Sequence, residues 1–166
     1  MHDKARIYFS YLPLMKDSNH IPEGFHALTA MLAVRDAARA IEWYKRIFGA
    51  TETNRLTDPN GTIAHAELRI GDSTLMLAEE HPDYNRSPET LGGTSVILNL
   101  YVEDVDTLER VAIEGGARSI FPVADQFYGD RAGRIQDPFG HMWIISKHIR
   151  DVTHEEMQRQ MTESPT

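Results

Sequence analysis

The feature that most restricts the fold is an internal repeat. Val34 and Val102 stand 68 residues apart, as do Asp36 and Asp104; Gly49 and Gly116 are 67 apart, and Gly71 and Gly140 are 69 apart. Each pair holds the same place in the same succession of elements: the end of an apolar run, the cap of a helix, its stop, and a tight turn between strands. Punctuation repeated at near-constant offset predicts two copies of one structural unit.

The unit can be read from its first copy. Leu28 to Val34 is a short apolar run, as in a buried strand. Asp36 caps a helix over Ala37 to Phe48, with Ala40, Ile41, Tyr44, Ile47 and Phe48 on one face and Gly49 as a left-handed stop. Strands follow at Thr51–Thr57, Thr62–Ile70 and Thr74–Ala78, separated by the turns Asp58-Pro-Asn-Gly61 and Gly71-Asp72. The second copy has a strand at Ser95–Val102, a helix from Val105 to about Glu114 capped by Asp104, and a strand at Ala117–Val123. It closes with Arg134–Gln136, the turn Asp137-Pro-Phe-Gly140 and a strand at His141–Lys147. The expected division is an N-terminal extension 1–24, a βαβββ module 25–80, a linker 81–94, a second βαβββ module 95–148, and a tail 149–166. Within the extension Arg6–Leu12 has strand-like alternation. The stretch 79–94, with two prolines and Gly92-Gly93, reads as irregular. In the tail, Thr153 and Glu156 form a capping box, with Val152, Met157 and Met161 available to dock a short helix.

Composition narrows the function. At 166 residues the chain makes one domain or two small modules sharing a core. A formal net charge of -8 without a basic patch argues against a nucleic-acid partner. There are no cysteines, hence no disulfide, thiolate metal site or cysteine nucleophile. No run approaches the roughly eighteen apolar residues of a membrane helix, and no secretory signal is visible, so the expectation is a cytoplasmic protein with no membrane partner. No phosphate-binding loop, dinucleotide fingerprint or Gly-x-Ser-x-Gly motif is present.

Three groups of side chains carry candidate chemistry. In the strand Thr62–Ile70, His65, Glu67 and Arg69 share the face opposite Ala64, Ala66, Leu68 and Ile70. A His and a carboxylate roughly 7 Å apart on one face suit acid/base work or half a metal site, and His65 and Glu67 are the catalytic candidates. The structural alternative is a solvated face with Glu67 paired to Arg69. Asn99 and Tyr101 interrupt an apolar strand on the face shared with Ile97, where an amide and a phenol would orient a ligand; the alternative is a cross-strand packing pair. In Asp125-Gln-Phe-Tyr-Gly-Asp-Arg131, read as a loop overhanging a cavity, Gln126, Tyr128 and Arg131 are ligand contacts. Arg131 would clamp a carboxylate, phosphate or phosphonate unless Asp130 and Arg131 merely pin the loop. Asp137-Pro-Phe-Gly140 reads as structural, Trp143 as core, and His141 as a surface or turn-satisfying histidine.

The duplicated βαβββ unit, with Gln126-Phe-Tyr-Gly-Asp-Arg131, Asp137-Pro-Phe-Gly-His141 and Trp143, resembles the vicinal oxygen chelate superfamily over about residues 26–150. Within it the chain looks like the glyoxalase/bleomycin-resistance (PhnB-like) branch. The resemblance implies an α+β fold in which tandem βαβββ modules form a curved eight-stranded sheet with a concave ligand cup, and it implies a homodimer. Enzymes of the superfamily hold one divalent metal in the cup. Carried across by register, the ligand positions fall at about Thr29, Ile97 and Ile144, a poor donor set, so no metal and no other cofactor is expected. The implied function is binding of a small organic molecule without the glyoxalase-type site. The alternative is a metal-dependent isomerase, lyase or dioxygenase using His65 and Glu67.

Overall fold

The computed structural model describes residues 20–163. The strand-like stretch Arg6–Leu12 therefore lies outside the described residues. In chain order the elements are β1 (Ala30–Val34), α1 (Ala37–Phe48), β2 (Thr51–Thr57), β3 (Ile63–Ile70), β4 (Ser73–Glu79), α2 (Pro88–Leu91), β5 (Ile97–Tyr101), α3 (Val105–Glu114), β6 (Arg118–Asp125), β7 (Asp130–Gln136), β8 (Met142–His148) and α4 (His154–Glu163). The two units expected from the repeat are present, and the fold is α+β. The capping follows the sequence: the Asp36 carboxylate accepts from Arg39 N and that of Asp104 from Thr107 N. Each satisfies an N–H that the first helical turn leaves without a partner.

Hydrogen bonding divides the eight strands of the described residues into two sheets of four, ordered β1-β4-β3-β2 and β5-β8-β7-β6. Within each, the first strand runs parallel to the last and the remaining neighbours are antiparallel. β1 and β5 are edge strands, and no ladder joins them. The single eight-stranded sheet implied by the resemblance is thus two matched sheets within this chain.

Helices α1 and α3 cover one face of the sheets. The alternation of β3 explains how: Ala66, Leu68 and Ile70 are buried against the helices, whereas His65, Glu67 and Arg69 turn to the open face. Leu32, Val34, Leu75 and Leu77 continue the buried layer in the first module, and Ile135, Trp143 and Ile145 in the second. Burying side chains of this size stabilises by roughly 1.5–3 kcal/mol each. Trp43, Tyr44 and Phe48 of α1 pack edge-on or tilted against Trp143 and Phe139, so one aromatic cluster belongs to both modules.

A buried carboxylate locks this seam. Asp137 Oδ2 accepts from Tyr44 Oη at 2.7 Å and from Trp143 Nε1 at 2.9 Å, while Oδ1 accepts from the backbone of Phe139 and His141. Burial, then Asp137, pushes the Tyr44 phenol well above its ordinary pKa. The Asp-Pro-Phe-Gly turn is structural, as its sequence suggests, and Trp143 is core. His141 departs from expectation. It is buried, and Nε2 meets the Ala33 carbonyl at 3.1 Å, because the turn carries it under β1 and an imidazole nitrogen satisfies that edge carbonyl.

Two other elements differ from the sequence reading. The linker contains a one-turn helix, α2, capped by Ser87 and anchored where Glu80 accepts from Thr90 Oγ1 and Ser87 N. These bonds hold the Glu80 carboxyl at about 2. Thr153 does cap α4, since Glu156 N donates to its hydroxyl, but no residue of α4 is buried.

Candidate functional site

A cavity of about 1400 Å³ lies between edge strands β1 and β5. Leu28 and Met31 line one side, Ile97, Asn99 and Tyr101 the other, and linker residues such as Leu91 and Val96 its end. Those side chains are exposed, so the gap is walled by an apolar patch of the kind found at ligand or partner sites.

Cross-strand register shows which side chains share the face away from the helices. In the first module one row runs Met31, Met76, Glu67, Asn54 across β1, β4, β3 and β2. Its counterpart in the second module runs Asn99, Ile144, Arg134, Phe121 across β5, β8, β7 and β6. The repeat therefore places Glu67 and Arg134 at equivalent positions. His65 lies beside Glu67, with Nε2 3.2 Å from Oε1, and Asn54 Nδ2 donates to the same oxygen at 3.4 Å. His65 and Glu67 are thus adjacent on the open face, as expected, and Glu67 pairs with His65 rather than with Arg69. Arg69 instead donates to the Asp72 carbonyl and packs against the Gly24 backbone.

In the second module, Tyr101 Oη donates to Asp130 Oδ2 at 2.8 Å, and His148 Nδ1 meets Asp130 Oδ1 at the same distance. His148 Nε2 reaches Asp151 at 3.1 Å. The Asp130 hydrogen bond raises the Tyr101 phenol, and the Asp130 and Asp151 carboxylates raise His148 above its usual value. Asn99 Oδ1 accepts from Ser146 Oγ at 3.0 Å. Asn99 and Tyr101 do share the open face with Ile97.

The stretch 125–131 differs most from the sequence reading. It is no overhanging loop: β6 extends to Asp125, β7 begins at Asp130, and only Gln126–Gly129 turn between them. Gln126 N donates to Asp130 O and Gly129 N to Gln126 O. The Gln126 amide donates to the carbonyls of Ala124 and Ala132, so it staples the hairpin and leaves the ligand set. Arg131 leaves it too. Its register partner is Lys147, on the helix side of the sheet, and it clamps Asp106 of α3 through Nε and Nη2 while Nη1 holds Asp125. A strand residue one position along points to the opposite face. Tyr128 remains near the open face, its phenol raised by burial and by Asp130 and lowered by Arg134. Of the seven sequence candidates, Asn99 and Tyr101 line the cavity, whereas His65, Glu67, Gln126, Tyr128 and Arg131 do not.

Sequence reasoning passed over Arg134, Phe121 and His148, and took Asp130 only as a partner of Arg131 in pinning the loop. The signal lay in the repeat itself, because the offset of 67 that aligns Gly49 with Gly116 also aligns Glu67 with Arg134.

The residues do not fit the metal the resemblance implies. Thr29 donates its hydroxyl to the His26 carbonyl, and Ile97 and Ile144 are alkyl. Among the described residues no three His, Cys, Asp or Glu side chains gather as a cation site.

Two helix-backed βαβββ units around a cleft define the glyoxalase-type fold. The family model for the glyoxalase/bleomycin resistance protein/dioxygenase superfamily matches residues 25–145, and the chain belongs to that superfamily. It is 40% identical over 140 residues, 82% of each chain, to the uncharacterised protein Rv0887c of Mycobacterium tuberculosis. Its fold resembles TioX from Micromonospora sp. ML1, with 31% identity, a TM-score of 0.60, and 74% of this chain and 98% of that one covered. The PhnB protein of Bacillus cereus, at 16% identity and TM-score 0.59, shares the fold, with 74% of this chain and 99% of that one covered.

Proposed function

We propose that the protein binds a small organic molecule in the cup between its modules, without a glyoxalase-type metal. The observation that carries this reading is the cavity of about 1400 Å³, apolar along both edge strands and offering the Asn99 amide and Tyr101 phenol at one wall. Such a mixture holds a ligand by contact area and orients it by a few polar groups. The alkyl side chains where superfamily enzymes place metal ligands support the metal-free part. As part of the same reading the protein is cytoplasmic and works as a homodimer. No helix among the described residues is long and apolar enough to cross a membrane. Isothermal titration of metal-free protein tests the proposal: saturable binding of apolar ligands, unchanged by added chelator and weakened by Tyr101→Ala, supports it. Binding that requires a metal would overturn it.

The second reading is a metal-dependent isomerase, lyase or dioxygenase built on His65 and Glu67, and their 3.2 Å contact beside Asn54 favours it. Metal analysis of protein purified without chelator discriminates the two. A stoichiometric divalent metal, lost in Glu67→Ala, would establish this alternative.

A further inference from the structure

The guanidinium of Arg134 is short of partners in a chain that carries 25 acidic residues. Among the described residues it forms no ion pair, and its Nε is buried without a hydrogen-bond acceptor. It rests over the Phe121 ring, 5.3 Å from the centroid. The polar groups on its face of β7, and its counterpart in the other module, are committed elsewhere. Asp130 lies on the same face of β7, four residues and about 13 Å along the strand, and serves Tyr101 and His148. Gln136 accepts from Arg118 and donates to the Gly140 carbonyl. Glu67, its counterpart in the other module, is satisfied by His65 and Asn54. A partly desolvated cation with unused N–H donors is unfavourable unless something supplies acceptors.

We propose that Arg134 receives the oxyanion of the cup ligand, and that this ligand is a carboxylate on a planar, largely apolar body. This deepens the ligand-cup reading and rests on it. The row Asn99, Ile144, Arg134, Phe121 sets the dimensions. Asn99 stands at the wall of the cavity, and Arg134, outside its lining, lies two strands away on the same open face, about 10 Å across the sheet. Ile144 gives the apolar floor between them. Phe121, Tyr101 and Tyr128, all exposed, offer ring faces on the same side. A guanidinium meets a carboxylate through two parallel N–H···O bonds, and the Phe121 ring holds it in place for that encounter. The overall charge of -8 does not forbid an anion here, since at physiological salt the field of distant carboxylates is screened within about 8 Å.

The test titrates the full chain at 150 mM salt (a chosen condition, on the order of physiological ionic strength) with 2-naphthoate, its neutral amide 2-naphthamide, and inorganic phosphate. The expected result is that naphthoate binds roughly 10- to 100-fold tighter than the amide, the range for a charge-assisted pair. Arg134→Gln should erase that preference while leaving amide binding in place, and Arg134→Lys should restore part of it. Phosphate alone should compete only weakly. Equal affinity for acid and amide would overturn the oxyanion inference and leave the cup reading standing. Binding of none of the three would count against both. Phosphate binding as tight as naphthoate would show a bare anion site and sink the planar-body claim. Sedimentation of Arg134→Gln closes the remaining route: loss of self-association would mean that a carboxylate of a second copy, not a ligand, is the missing partner.

Discussion

The helix-covered and open faces of this molecule treat the repeat in opposite ways. On the covered face the modules agree: each helix starts at an aspartate cap, and Leu77 and Ile145 occupy equivalent buried positions. On the open face they diverge at every position of the central row, with Met31 against Asn99, Met76 against Ile144, Glu67 against Arg134 and Asn54 against Phe121. Packing constrains one face to a narrow set of volumes, whereas the other is free to take whatever a ligand or partner requires. A duplicated unit thus keeps a common skeleton while building an asymmetric cup.

Breaking each side of this comparison should have different consequences. The largest effect is expected at the seam. Asp137→Ala removes the acceptor of the buried Tyr44 phenol, the Trp143 indole and two backbone N–H groups, and should cost about 3–5 kcal/mol in urea unfolding. A loss under about 1 kcal/mol would mean that water reaches the site and the seam is not sealed. Next comes the open face: Phe121→Ala should weaken 2-naphthoate binding roughly 3- to 10-fold while leaving the unfolding midpoint nearly unchanged. If it instead unfolds the protein, Phe121 belongs to the core and the contrast fails. Arg131→Gln sharpens the assignment of faces. Because Arg131 serves Asp106 and Asp125 on the helix side, thermal stability should fall slightly and naphthoate affinity should not change.

The smallest effect concerns pH. His148 has a folded pKa above its ordinary 6.5, caused first by Asp130 and then by Asp151. A raised pKa means that protonated His148 stabilises the fold. That contribution is complete below about 6.5 and is lost as pH rises through the folded value. The melting temperatures of wild type and His148→Gln should therefore differ most near pH 6 and converge by about pH 9. A gap that widens with pH would show that neutral His148 is the preferred form.

Part of the site was legible in the chain and part was not, for reasons visible at single residues. The alternation in Thr62–Ile70 was enough to put His65 and Glu67 together, because side chains two apart on a strand share a face whatever the fold. Asn99 and Tyr101 followed from the same rule. Arg131 and Gln126 did not, since their placement depended on where the hairpin turned. Had the turn stayed as long as its polar composition suggested, Arg131 would have hung free. With β7 starting at Asp130 it is one residue out of phase with the open face, and Arg134 occupies that face instead.

By itself, then, the sequence determined the duplication, the helix caps and their stops, the strand alternation and the turn at Asp137-Pro-Phe-Gly140. These are local, set by backbone conformation and by contacts only a few residues away. Tertiary structure alone decided that β1 and β5 stand apart around a cavity, that His141 is buried under the first module, and that Glu67 found partners while Arg134 did not. Such facts depend on which strands become neighbours and on how side chains distant in sequence compete for the same donors and acceptors. No local pattern encodes that competition.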